Sequence, residues 1–267
     1  MKVAYVGIDI LYPALASLFE TGCEIIKIHT CRTDNVTEFN LETVAFAREH
    51  DIPLQMDKIT QDDLYDLLAN GCEFVLVGGY YYKIPIIEEL PIVNIHPALL
   101  PYGRGAWPSP ATILKGLKES GITFHQMTEA MDQGDILLQK KIPVYPEDDL
   151  ITLTERIHGC IPDMVKKLVS DFDRLWENAH PQEGYAEYWS MPDEKDWTIK
   201  SDMSFDEADL ILRAFMGYEC IYIDEKTGMK TEFIGARAHK GIPDENSVRT
   251  TWPITDGYIT CERTRLL

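Results

Sequence analysis

Ile92-Val93-Asn94-Ile95-His96-Pro97 is an apolar strand that carries two polar side chains and is closed by a proline. Side chains alternate along a strand, so Asn94 and His96 share a face, roughly 6.6 Å apart along the chain. Asparagine is disfavoured in strands, and burying its amide without partners costs on the order of a few kcal/mol. Pro97 ends the ladder, which puts both groups near the carboxyl end of the strand, where open α/β sheets take their ligands. On these six residues alone two readings stand: a ligand site, or an Asn and a His that satisfy loop backbone at a strand end.

Outward from that strand, apolar runs at Val3–Ile8, Glu24–Thr30, Phe74–Gly78, Ile122–Met127 and Ile136–Ile142 alternate with amphipathic stretches at Tyr12–Glu20, Leu41–Glu49 and Asp62–Ala69. The alternation predicts an α/β fold with a doubly wound, mostly parallel sheet. The first turn, Val6-Gly7-Ile8-Asp9-Ile10, has one glycine where a dinucleotide-binding turn carries three, which argues against a nicotinamide cofactor. A long helix is predicted next, opened by a Thr152-x-x-Glu155 capping box, apolar at steps of three and four from Leu153 to Leu175, and kinked or divided at Pro162. Periodicity then disappears. Residues 1–179 read as the α/β domain, 180–204 as a linker wrapped on it, and 205–267 as a small β-rich C-terminal lobe. The lobe has a helix at Phe205–Met216 and strands around Cys220–Ile223, Thr231–Ala238 and Tyr258–Cys261.

Composition narrows the class. The 267 residues include 25 basic and 44 acidic side chains, a net charge of −19, which works against polyanion binding. At 45% hydrophobic and 26% charged, the chain has globular composition, and intrinsic disorder is excluded. No apolar run approaches the roughly 20 residues that span a bilayer, and Met1-Lys2 leads into a strand rather than a signal peptide, so a cytoplasmic location is expected. The six cysteines are too scattered for a zinc or redox pair and read as reduced structural thiols, and the Asn35-Val36-Thr37 sequon reads as unused. No metal is expected.

A third element bears on Asn94 and His96. The loop Glu129-Ala130-Met131-Asp132-Gln133-Gly134-Asp135 holds three carboxylates and leads into a strand; alone it is an acidic turn. Together, NIHPALLPYGRGAWPSPATILKG from Asn94, GITFHQM from Gly121 and EAMDQGDILLQ from Glu129 resemble the 10-formyltetrahydrofolate-dependent formyltransferases. That family includes methionyl-tRNA formyltransferase, glycinamide ribonucleotide formyltransferase and nucleotide-sugar N-formyltransferases. The resemblance is close over about residues 70–160, and it implies a formyltransferase-like Rossmann variant.

The resemblance also implies the chemistry. The family's catalytic Asn, His and Asp fall on Asn94, His96 and Asp132. An amine attacks the formyl carbon, Asn94 can donate an amide N–H to the formyl oxygen, His96 can donate another if protonated, and Asp132 can orient His96 and accept or relay the proton. The co-substrate 10-formyltetrahydrofolate is expected between the loop Tyr80, Tyr81, Tyr82, Lys83, Ile84 and the loop Glu129, Ala130, Met131, held in the family by backbone groups. The tyrosines could equally cover the sheet edge. Gly103, Arg104, Gly105 and Trp107 fall on the acceptor loop, where Arg104 suits a phosphate or carboxylate. Trp107 departs from the alanine-like residue expected there.

Charge bears on the acceptor. Residues 1–150 carry 11 basic and 22 acidic side chains, and residues 151–267 carry 14 and 22. The loop Cys31–Glu38 has one arginine and two acids where the tRNA enzymes have a basic insertion, and the lobe from Arg213 is balanced, with 8 of each sign. All three disfavour tRNA. Glycinamide ribonucleotide enzymes normally lack the lobe. The expected acceptor is therefore a small-molecule amine, best a nucleotide-linked amino sugar, with methionyl-tRNA the alternative and a non-catalytic folate-binding protein the alternative of another class. Tyr185, Tyr188, Trp189 and Trp197 either stack on the acceptor or pack the linker. A homodimer through the lobe is implied by resemblance to the sugar enzymes.

Overall fold

The computed structural model describes residues 1–35, 39–243 and 251–266; Val36 and Thr37 of the sequon lie outside the described residues. Strands β1 (Lys2–Gly7), β2 (Glu24–His29), β3 (Leu54–Gln55), β4 (Phe74–Gly78) and β5 (Ile92–His96) alternate with helices α1 (Tyr12–Glu20), α2 (Leu41–Glu49) and α3 (Gln61–Ala69). After β5 come β6 (Tyr102–Arg104), α4 (Pro108–Leu114), β7 (Glu119–Gln126) and β8 (Ile136–Pro143). The main sheet has the order β3-β2-β1-β4-β5-β7-β8. Neighbours from β3 to β5 run parallel, and β7 runs antiparallel to β5.

The central strands are covered on both faces. Every residue of β4 is buried, as expected of a parallel strand whose run is continuously apolar. One core cluster joins Ala4, Val6, Val75, Val77 and Ile92 of the sheet to Leu64 and Leu67 of α3. α3 is started by a capping box in which the Thr60 side chain accepts from the Asp63 N–H while Asp63 accepts from the Thr60 N–H.

The predicted long helix is three helices: α5 (Leu150–His158), α6 (Ile161–Ser170) and α7 (Phe172–Glu177). Pro162 sits in the first turn of α6, where its missing N–H has no intrahelical partner to lose, so the chain divides just before it. The capping box lies one turn earlier than expected. Asp149 N–H donates to Thr152 Oγ1 at 3.0 Å, and Thr152 N–H donates to Asp149 Oδ1 at 2.9 Å. Asp149, with Thr152 as its partner, therefore opens the helix in place of Thr152 with Glu155.

The remaining elements are β9 (Glu187–Tyr188), β10 (Thr198–Lys200), α8 (Phe205–Ala214), β11 (Cys220–Ile223), β12 (Lys230–Ile234), β13 (Arg237–Lys240), β14 (Trp252–Ile254), β15 (Gly257–Thr260) and β16 (Arg263–Leu266). The C-terminal part is strand-rich, with sheets β10-β11-β12-β16 and β13-β15-β14, and β9 pairs with β6. The expected strand Thr231–Ala238 is two, because Gly235 takes φ +65 and turns the chain between β12 and β13. The chain groups into two compact units: residues 1–104, 121–142 and 156–188, and residues 105–120, 143–155 and 189–267.

Among the described residues no helix is long and apolar enough to cross a membrane, and no group of three or more His, Cys, Asp or Glu side chains is placed to hold a metal ion. No disulfide links the six cysteines, and burial pushes the Cys72 and Cys220 thiols up to about 12.

At the carboxyl end of β2, His29 is fully buried and neither ring nitrogen has a hydrogen-bond partner. Burial, with the Lys27 charge second, lowers its pKa to about 4, while Asp63 opposes both. The unfolded chain therefore binds the proton more tightly than the folded one. The stability set by the neutral ring is complete above about pH 6.5 and declines as pH falls toward about 4, by roughly 3 kcal/mol in total. His29→Leu is expected to flatten this part of the stability curve by about one proton; superimposable wild-type and variant denaturation midpoints from pH 7 to 4 would discard the assignment.

Candidate active site

Asn94 and His96 lie on β5 opposite His125 and Thr123 of the antiparallel β7. The alternation that puts Asn94 and His96 on one face puts His125 and Thr123 on the same face of the neighbouring strand. Thr123, fully buried, donates to the Ala98 carbonyl at 2.6 Å and accepts from Leu100 N–H at 3.3 Å and from Gln139 Nε2 at 2.9 Å. These bonds hold the chain that leaves His96 toward β6.

Hydrogen-bond partners set the tautomer of each neutral ring. His96 Nε2–H donates to the Gly103 carbonyl at 2.7 Å, so the lone pair of the neutral ring is on Nδ1. His125 Nδ1–H donates to the Gln126 carbonyl at 2.8 Å, so its Nε2 accepts from the Asn94 amide at 3.0 Å. One N–H of Asn94 is thereby used, and the second is left for a ligand. Asp132 completes the cluster: its Oδ1 lies 3.7 Å from His96 Nδ1 and 3.7 Å from His125 Nε2, at ion-pair rather than hydrogen-bond distance. Burial lowers the His96 pKa, opposed by the Asp132 carboxylate. At pH 7 His96 is therefore neutral. The neutral ring carries its lone pair at Nδ1, beside the Asp132 carboxylate.

The Asp132 turn is shaped by contact. Asp132 has φ +53, and a Cβ on Gly134 would stand 1.8 Å from the Gln126 carbonyl oxygen, so the loop lies against the end of β7 at a spacing only glycine allows. Gln126 N–H donates to the Asp135 carbonyl at 2.9 Å and seals the turn.

The two loops expected to hold the co-substrate are bridged by an ion pair between Lys83 and Glu129. Both side chains are about two-thirds exposed, so the pair contributes little stability. Tyr80 is half-buried on the core, where its hydroxyl accepts from Ile59 N–H at 3.1 Å, and Tyr82 packs edge-on against it. Tyr81 and Tyr82 are exposed, as are Ala130 and Met131. The Ile84 side chain is core, leaving only its backbone for a ligand.

On the expected acceptor loop, Gly103 orients His96 through its carbonyl. Arg104 donates from Nε and Nη2 to Gln182 Oε1, at 3.0 and 2.7 Å, and lies 5.8 Å over the ring of Tyr188. Gly105 and Trp107 belong to the second unit. Gly105 has φ +121, with the Trp189 carbonyl where a Cβ would be, and the Trp107 ring packs edge-on against Phe215 and Tyr218. Trp189 is buried, Trp197 packs on Phe215, and Tyr185 and Tyr188 are exposed.

His125, Thr123 and Gln182 were not singled out in the sequence, whereas Tyr188 was marked as an aromatic that stacks on the acceptor or packs the linker. The signal for the first two was present: Thr123 and His125 interrupt an apolar strand two residues apart, as Asn94 and His96 do. Gln182 stands in an aperiodic stretch and has no such mark.

The formyl transferase family pattern matches residues 50–166, which include this cluster. A methionyl-tRNA formyltransferase of Ehrlichia chaffeensis is 30% identical over 190 residues, 66% of this chain and 62% of that protein; the match thus spans less than two thirds of that relative's length. Among solved structures, a methionyl-tRNA formyltransferase from Clostridium thermocellum superposes with TM-score 0.64 at 18% identity, covering 100% of this chain and 99% of that one. An N-formyltransferase from Helicobacter canadensis, in complex with folinic acid and dTDP-3-aminofucose, gives TM-score 0.66 at 17% identity over 97% and 98%. The structural likenesses establish a common fold, and the formyl transferase pattern over residues 50–166 takes in the strands that carry Asn94, His96 and His125.

Proposed function

We propose that this chain transfers a formyl group from 10-formyltetrahydrofolate to a primary amine, with residues 1–179 as the catalytic domain and no metal taking part. The observation that carries the reading is the convergence of Asn94, His96, His125 and Asp132 around one point. The amine nitrogen bonds to the formyl carbon as the bond from that carbon to the folate nitrogen breaks. The second N–H of Asn94 donates to the formyl oxygen as negative charge grows on it, while His125 holds the amide in place. His96 Nδ1, with Asp132 beside it, takes the proton that the attacking nitrogen must lose and returns that same proton to the departing folate nitrogen, which leaves His96 neutral again. Atoms and charge balance with no further reactant.

For the acceptor we favour an amino sugar on a nucleotide. The net charge of −19, the arginine-poor segment 31–38 and the balanced lobe support it, and Arg104 would meet a phosphate. A second reading, methionyl-tRNA, is supported by the name of the Ehrlichia chaffeensis relative. The experiment is tetrahydrofolate release from 10-formyltetrahydrofolate with nucleotide-linked amino sugars, methionyl-tRNA and glycinamide ribonucleotide in parallel. Turnover with an amino sugar alone is expected. Turnover with methionyl-tRNA overturns the acceptor assignment, and folate binding with no acceptor-dependent release overturns the enzyme in favour of a binding protein.

A further inference from the structure

Gln182 uses every hydrogen-bonding position of its amide within the first unit. Nε2 donates to the main-chain carbonyls of Asp132 at 2.9 Å and Gly134 at 2.8 Å, while Oε1 accepts both N–H groups from Arg104. The orientation of the amide follows from its partners, since reversing it would aim donors at a guanidinium and an acceptor at two carbonyls. Tyr188 repeats the arrangement. Its hydroxyl donates to the Met131 carbonyl at 2.7 Å and accepts from Gln133 Nε2 at 2.7 Å, and its ring lies under Arg104. The loop from Met131 to Gly134 is thus held at four successive residues by two side chains that both also hold Arg104. Asp132 itself takes φ +53, a left-handed conformation that Asp adopts more readily than most L-residues, and the two side chains hold the turn on either side of it. The guanidinium is held by a neutral amide, which leaves its charge for a ligand.

We propose that Gln182 is a positioning residue, which with Tyr188 locks the Asp132 turn and the Arg104 guanidinium into one hydrogen-bonded unit. An anionic group captured by Arg104 and the carboxylate that serves the transfer then stand at a fixed separation. The functional half of this inference rests on the formyl-transfer reading; the positioning itself does not.

The test is run first on the substrate-free full chain, with the histidine rings isotopically labelled for NMR. In Gln182→Met, which keeps length and removes all four hydrogen bonds, Asp132 leaves its place beside His96. The His96 midpoint is then expected to fall by about one pH unit, because an opposing carboxylate is withdrawn from a buried ring. A Gln182→Glu variant, which keeps a partner for Arg104 but cannot donate to the two carbonyls, guards against a folding defect. It is expected to displace the amide signals of residues 132–134 while the Arg104 Nε–H signal stays near its wild-type position. Unchanged His96 titration in the first variant, or unchanged 132–134 signals in the second, overturns the proposal. With the acceptor that turns over in the panel above, Gln182→Met is expected to lower kcat and raise the acceptor KM together, about tenfold each. A loss of active fraction at unchanged KM assigns Gln182 a purely structural role and overturns it as well.

Discussion

Asp132→Asn lowers formyl transfer by roughly 10²- to 10⁴-fold and leaves the fold in place. The substitution is nearly isosteric. Asparagine tolerates the left-handed conformation that residue 132 adopts at φ +53, and the main-chain carbonyl bonded to Gln182 is unaltered. What disappears is the negative charge 3.7 Å from both imidazoles. Burial already disfavours a cationic His96, so without its counter-charge the ring holds a proton still less readily, and the ammonium formed on attack has no acceptor of sufficient basicity. Single-turnover release of tetrahydrofolate measures the rate, and circular dichroism with a thermal scan checks the fold. A variant that keeps more than about a tenth of the wild-type rate removes Asp132 from the proton path.

Gly134→Ala carries the second large effect, and it reaches stability and activity together. The new methyl group would stand 1.8 Å from the Gln126 carbonyl oxygen, a main-chain atom that no side-chain rotation can clear. Either the loop or the end of β7 must move by more than an ångström. The expected cost is about 3 kcal/mol, in the upper part of the range for overpacking. In a chain of this size that lowers Tm by about 6–12 °C. Because Asp132 rides on the same turn, the protein that remains folded is expected to lose at least about tenfold in transfer rate, since a misplacement near 1 Å can cost up to 10²-fold. Calorimetry and the same single-turnover assay decide the matter. A Tm within a degree or two of wild type, with full activity, means that the turn does not press on β7 as described.

How much of this was legible in the sequence depends on how local each feature is. α1 and α2 begin and end where their apolar spacing and turn residues say they should, because periodicity and punctuation are properties of consecutive residues. Asn94 and His96 were legible for the same reason, two polar groups at i and i+2 in an apolar strand. The direction of β7 was not, since a strand's pattern reads alike in either direction, and with the direction went the pairing of His125 with Asn94. β3, β6 and β9 are two or three residues long, too short to show a period. The neutral state of His96 depends on burial and its tautomer on the Gly103 carbonyl, neither of which spacing encodes. Gln182 acts only through partners 48 to 78 positions away.

That distance has a consequence for synthesis. A growing chain that has emerged as far as residue 179 carries Asn94, His96, His125 and Asp132, yet it lacks Gln182 and Tyr188, the side chains that bind the Met131–Gly134 loop and Arg104. The strand partner of β6 also arrives only with residues 187–188. The Asp132 turn is therefore fastened only after the four site residues have all been made. A chain that stops before Gln182 is expected to hold the right residues in a loosely set turn, and one that includes Tyr188 to hold them at working distance.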